Sequence, residues 1–229
     1  MPAPAASERW TEIAGLRTLV VGDRATAGCV IVLLHGFQME PADLAPFAHS
    51  IALDAWFVIP EAPLAAQPRG RAWWHIDAQA REAAIARGPR DFATQHPPDL
   101  PQARQRLDAF LDALQIESKP LILCGFSQGG MLACDTLLRH PREVAGLALL
   151  SASRIAADEQ AYARLHGQRV LLTHGREDPD LAFQAGEALR DALVAGGAQV
   201  QWLPFDGSHE LPLVVWRALR KFVLGLTQF

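Results

Sequence analysis

The pattern that most restricts this chain is the alternation of short, continuous apolar runs with longer stretches that are apolar on one face only. RTLVV (17–21), CVIVLL (29–34), WFVI (56–59), LILC (121–124), GLALLS (146–151), RVLLT (169–173) and QVQWLPF (199–205) have strand length. Most show no polar alternation, as expected of strands buried on both faces of a helix-covered sheet. Between them lie helical patterns at PADLAPFAHSIA (41–52), LPQARQRLDAFLDALQ (100–115), residues 128–139, LAFQAGEALRDALVAG (181–196) and ELPLVVWRALRKFVLG (210–225). In the second of these, Leu107, Phe110, Leu111 and Leu114 recur every three or four residues and form one stripe. This rhythm predicts an α/β fold with a mostly parallel sheet and helices on both faces. The chain has 229 residues, half of them hydrophobic, so one core suffices, and a single domain over 1–229 is expected.

One stretch, residues 60–99, breaks the rhythm. Proline, glycine and arginine are frequent there, Trp73 and Trp74 are adjacent, and no strand of the surrounding type is visible. A long excursion in a compact domain is more often functional than idle, so it is expected to cover or line a pocket. Its Arg69 and Arg71 suit solvated loop charges better than an anion site.

Charge and cysteine usage narrow the function classes. The net charge is −4 and the basic residues are scattered, which excludes a strip that tracks a phosphate backbone and makes nucleic acid an unexpected partner. The N-terminal MPAPAASERWTEIAG lacks the basic and apolar regions of a secretory signal. CVIVLL is far shorter than the ~20 residues needed to span a bilayer. Cys29, Cys124 and Cys134 are odd in number and lie in or beside apolar segments, as for buried thiols in a reducing compartment. A cytoplasmic protein without an integral membrane segment is expected. Oligomeric state is left open, a homodimer included.

The most specific chemistry lies at GFSQGG (125–130), directly after LILC. A serine hydroxyl is a weak nucleophile until it is exposed, close to a base and close to oxyanion donors. In a Gly-x-Ser-x-Gly elbow the serine sits on a strained strand-to-helix turn, and glycines two before and two after avoid collision. Gly125 and Gly129 take those places around Ser127, and a helical run with Met131, Leu132, Leu137 and Leu138 follows.

An acid and then a histidine should follow in chain order. HGREDPD (174–180) after one strand offers Asp178, with Asp180 as the alternative because it could instead cap the next helix. DGSHE (206–210) after the last strand offers His209, and no other histidine lies downstream of the acid. Loops at the carboxyl ends of parallel strands converge on one edge of a sheet. The oxyanion amides are expected from Gln128, at the amino end of its helix, and from the loop in LLHGFQMEP (33–41), at Phe37 first and Gln38 second. The other histidines show no metal-ligand spacing, so no metal is expected, and His35 and His174, each in a His-Gly step, suit turn roles. Met39, Trp73, Trp74 and Phe126 are candidates for an apolar pocket, the tryptophans equally for packing the excursion onto the body.

LLHGF, GFSQGG, HGREDP and GSHE, followed by an amphipathic final helix, together resemble the phospholipase/carboxylesterase group of α/β-hydrolases, which includes acyl-protein thioesterases. The likeness runs from about residue 28 to 225. It implies a small serine hydrolase with Ser127, Asp178 and His209 as triad and the Phe37 and Gln128 amides as oxyanion hole. The chain departs from the thioesterase branch where FQMEP replaces a Gly-Asp pair and RAWWHID replaces a Trp-Phe-Asp segment. The expected substrate is a small ester or thioester, with no cofactor. Lysophospholipase, peptidase and lactonase activities, and a ligand binder that does no chemistry, stay as alternatives. Dienelactone hydrolases are disfavoured because they use cysteine.

Overall fold

The computed structural model describes residues 7–116, 119–156 and 158–227. Its centre is an eight-stranded sheet of β1 (Glu8–Ile13), β2 (Leu16–Val21), β3 (Cys29–Leu34), β4 (Ala55–Pro60), β7 (Leu121–Phe126), β8 (Gly146–Leu150), β9 (Arg169–Gly175) and β10 (Gln199–Phe205). The order across the sheet is β1-β2-β4-β3-β7-β8-β9-β10. From β4 to β10 all neighbours are parallel, while β2 is antiparallel to both β1 and β4. Strand residues feed two cores in alternation. Val30, Val32 and Leu34 of β3 join one cluster, and Cys29, Ile31 and Leu33 join the other. Burial on both faces is the physical reason these strands read as unbroken apolar runs.

Helices α3 (Leu100–Ala113), α4 (Gln128–Arg139) and α5 (Phe183–Ala195) cover one face; α1 (Pro41–Ser50) and α6 (Leu213–Thr227) cover the other. Two of these begin later than the periodicity predicts. Ala182 donates to Arg90 O at 2.9 Å, which holds residues 180–182 in a bridge before α5. The chain bends at Ser208, where Glu210 N donates to Ser208 O at 3.0 Å, before α6 can start.

The strand β1 has no counterpart among the predicted segments. ERWTEI carries charges and lies mostly exposed at the sheet edge, so it lacks the apolar run that marks the inner strands. Ala14 (φ 48°) and Gly15 (φ 75°) form the two-residue turn into β2. Positive φ at both positions matches the twist of a tight hairpin.

Residues 61–99 contribute no strand to the main sheet. They hold a small hairpin of β5 (Leu64–Ala65) and β6 (Arg71–Ala72), then α2 (Ala78–Ile85), none of whose residues is buried. Asp77 caps α2 by accepting from Ala80 N at 2.7 Å. Backbone bonds tie the excursion across the carboxyl ends of the strands. Gln38 N donates to Arg71 O (2.9 Å), Arg71 N to Met39 O (3.0 Å) and Arg90 N to Asp180 O (2.9 Å). Trp74, Arg81 and Arg90 of this segment line cavities that Ser127 also lines.

Candidate active site

Ser127 stands at the junction of β7 and α4 with φ 52° and ψ −117°, a left-handed conformation that an ordinary residue adopts only under constraint. The constraint is visible in the glycines around it. A Cβ on Gly125 would lie 2.4 Å from the Gly129 carbonyl, and one on Gly129 would lie 2.5 Å from Leu34 O. Both obstacles are backbone, so neither can rotate away. The Ser127 N–H donates to Leu150 O at 2.9 Å, and its carbonyl accepts from Met131 N at 3.0 Å. The hydroxyl makes no capping bond to the helix.

Two backbone amides beside the serine are unspent. Neither the Phe37 nor the Gln128 N–H has an acceptor among the described residues, and both residues line a cavity of about 20 Å³ with Ser127. The Gln38 amide is engaged with Arg71 O, so of the two amides expected from that loop only Phe37's is without an acceptor among the described residues. The Gln128 side chain is buried and grips the excursion. Its Oε1 accepts from Trp73 N at 2.9 Å and its Nε2 donates to Trp74 O at 3.0 Å.

His209 Nδ1 donates to Asp178 Oδ2 at 2.6 Å, and the imidazole leans on the Phe126 ring at 4.9 Å between centroids. Asp178 is 4% exposed. Its Oδ1 accepts from the N–H groups of Asp180 (2.9 Å) and Leu181 (2.8 Å), so the loop after β9 wraps the carboxylate. Asp180 turns elsewhere, to the guanidinium groups of Arg81 and Arg90. Ser127 and His209 line one cavity of about 510 Å³ together with Phe37, Met39, Phe47, Phe126 and Leu211.

Of the predicted pocket residues, Met39 and Phe126 line that larger cavity and Trp74 the smaller one. Trp73 is core, 1% exposed, with its indole N–H donating to His35 O at 2.9 Å. Cys124 and Cys134 are fully buried, and desolvation pushes both thiols well up, which keeps them protonated.

Neither buried histidine of a His-Gly step is a plain turn residue: His174 lies within β9 and His35 just after β3, and such a step looks the same in sequence whatever the imidazole meets. His174 lies beside Asp178, its Nε2 facing Leu181 O (3.1 Å) and Asp178 Oδ2 (3.4 Å). His35 donates from Nδ1 to Gly36 O at 2.8 Å and accepts at Nε2 from Ala62 N at 3.1 Å. These partners require the neutral Nδ1–H tautomer.

The Phospholipase/Carboxylesterase family model matches residues 17–224. The chain belongs to that family. A probable SOBER1-like carboxylesterase of Arabidopsis thaliana is 24% identical over 177 residues, 75% of this chain and 58% of the relative. A probable carboxylesterase of Oryza sativa subsp. japonica is 27% identical over 158 residues, 66% and 57% of the two chains. This chain thus spans little more than half the length of these curated relatives. Among solved structures, esterase PE8 superposes with a TM-score of 0.73 at 25% identity, over 97% of this chain and all of that one. Acyl-protein thioesterase 2 of Zea mays gives 0.74 at 20% identity, over 93% and 99%. SOBER1 of Arabidopsis thaliana gives 0.72 at 20%, over 87% and 99%. The fold is the α/β-hydrolase fold, and its strand order places GFSQG (125–129) at the carboxyl end of the inner strand β7.

His35 gives this family member a measurable response to acid. It is fully buried, and desolvation pulls its imidazole from the ordinary 6.5 to about 4. The unfolded chain therefore binds a proton between these values that the folded chain does not. Stability from the neutral imidazole is complete above the upper value and is lost as pH falls toward the lower one. Burial moves His174 in the same direction. In urea titrations, the wild type is expected to lose stability between about pH 7 and about pH 4.5. In His35→Gln that loss is smaller, by on the order of 2 kcal/mol. Equal losses in the two proteins would contradict the assignment.

Proposed function

We propose that this protein is a serine hydrolase that cleaves carboxylic esters or thioesters through an acyl-enzyme, with Ser127 as nucleophile, His209 as base and Asp178 as orienting acid. The observation that carries the reading is the 2.6 Å bond from His209 Nδ1 to Asp178 beside a cavity shared by His209 and Ser127. With Nδ1 protonated and bound to the acid, Nε2 is free to take the serine proton. Ser127 Oγ attacks the carbonyl carbon, and the oxyanion is held by the Phe37 and Gln128 amides. The imidazolium then gives its proton to the leaving alcohol or thiol. Water, deprotonated by the same nitrogen, attacks the acyl-enzyme and releases the acid and the free serine. The chain's own residues supply every proton transfer.

His35 acts as a positioning residue in this scheme. The Gly36 carbonyl and the Phe37 N–H belong to one planar trans peptide and point in opposite directions. Holding the carbonyl from one side with the His35 N–H aims the amide at the other. Met39 N reinforces the hold at 3.3 Å.

A small-molecule substrate in the cytoplasm is part of the same proposal. No helix of the described residues is long and apolar enough to cross a membrane. The direct test is reaction with a fluorophosphonate followed by peptide mass mapping. The expected result is one adduct, on Ser127, that denaturation before reaction prevents. A folded protein that binds ester ligands yet takes up no label at this residue would favour a ligand binder and end the hydrolase reading.

A further inference from the structure

Both amides proposed to hold the oxyanion are fastened to one residue of the excursion. Trp73 is 1% exposed. Its backbone N–H donates to Gln128 Oε1 at 2.9 Å, and its indole N–H donates to His35 O at 2.9 Å. Gln128 carries the unspent amide at the start of α4, and His35 lies two residues before Phe37, which carries the unspent amide of the loop after β3. Trp73 thus spans from the helix arm of the hole to the loop arm.

The contacts at either end of this bridge are buried and well partnered. On the loop side, the His35 ring lies 5.5 Å from the Trp73 indole, and its Nδ1–H holds Gly36 O. The peptide that carries the Phe37 N–H is therefore fixed through the residue that Trp73 grips. On the helix side, the Gln128 side chain also donates from Nε2 to Trp74 O at 3.0 Å, so two bonds clamp residues 73–74 against α4. The arms meet directly as well: a Cβ on Gly129 would lie 2.6 Å from His35 O, the carbonyl that accepts from the indole.

An oxyanion donor acts only at short range, at about 2.7–3.1 Å from the oxygen. Phe37 and Gln128 line a cavity of about 20 Å³ with Ser127, which has room for one oxygen-sized group. Small errors in the spacing of the amides would leave one of them out of reach. The parallel pairing of β3 with β7 sets that spacing at the level of the strands, but both amides lie past the strand ends. Past those ends, the hydrogen bonds through Trp73 join the two arms.

On the serine-hydrolase reading above, we propose that Trp73 is a positioning residue whose indole and backbone N–H groups set the spacing of the Phe37 and Gln128 amides around the oxyanion. Trp73 is not among the residues that line either cavity shared with Ser127. It acts through the two amides and not on the substrate.

The test follows p-nitrophenyl acetate hydrolysis by the wild type, by Trp73→Phe and by a protein with 3-benzothienylalanine at position 73. In the last, sulfur replaces the indole N–H at nearly constant volume, so it carries the test if Trp73→Phe fails to fold. Thermal melts place each assay below unfolding. Acylation and deacylation both pass through an oxyanion, so kcat is expected to fall about 10-fold with KM within about twofold. A small trifluoromethyl ketone, which adds to Ser127 and forms an oxyanion, should lose affinity by the same factor. Loss of packing alone would spare the benzothienyl protein. A kcat for that protein within twofold of wild type, or a fall in kcat without the matching loss of ketone affinity, overturns the inference. Ser127→Ala keeps the two levels apart: turnover that survives it removes the hydrolase reading and this inference together, whereas Ser127-dependent turnover that ignores the indole N–H removes the inference alone.

Discussion

Ser127→Ala is expected to lower kcat for a small ester by roughly 10⁵- to 10⁶-fold, with the fold unchanged. The substitution removes one oxygen that caps no helix end, and alanine meets the same φ of 52° that serine already tolerates. The strain of the turn is held by backbone, through Ser127 N to Leu150 O and the packing of Gly125 against Gly129. The missing oxygen is therefore felt in the chemistry and not in the stability. Some catalysis should remain, because the Phe37 and Gln128 amides can still polarise a carbonyl for attack by water. Steady-state kinetics paired with a thermal melt checks both halves. A variant within tenfold of wild type would mean that the nucleophile lies elsewhere.

Asp178→Asn should cost about 10⁴-fold in kcat while leaving the site nearly superposable on the wild type. The direction follows from the way the carboxylate is held. Oδ1 already accepts two backbone N–H groups, from Asp180 and Leu181. An asparagine keeps its carbonyl oxygen at that position, because turning the amide over would set NH₂ against two donors. The NH₂ then faces His209 Nδ1 and donates to it, which puts the ring proton on Nε2. In that tautomer the nitrogen facing Ser127 cannot take its proton. The buried His174 imidazole, which faces Oδ2 as well, would also lose a charged partner. Rates on an activated ester together with the pH profile test this argument. A loss below tenfold would show that the acid is not what orients the imidazole.

The inner strands, the helices that cover them and the strained turn at Ser127 were legible in the sequence because each rests on short-range physics. A buried strand must be apolar on both faces, and CVIVLL and LILC say so directly. Glycines at 125 and 129 are required by contacts within a few residues or with the adjacent strand β3. The edge strand β1 was illegible for the same reason in reverse: with one edge in water and charged side chains, it carries no hydrophobic signature. Helix α2 buries none of its residues, so no stripe announced it.

Chain order alone located the histidine and narrowed the acid to Asp178 or Asp180. The two aspartates sit two residues apart in one loop, and only the course of that loop shows that the first meets His209 while the second meets arginines from a segment some 90 residues earlier. His35 and Trp73 show the same limit. Their partners, Ala62 N and Gln128 Oε1, are brought by the excursion folding back over the sheet.

The sequence by itself determined an α/β sheet, a strained serine at the end of one inner strand, and the order in which the other reactive groups arrive. Only the tertiary structure decided which carboxylate holds the imidazole, which amides stay free and which cations line the cavities beside Ser127. Periodicity and turn sterics act between near neighbours and are written in local residue choice. Hydrogen-bond and ion partners are set by loops that meet across the sheet edge, where sequence distance carries no information about contact.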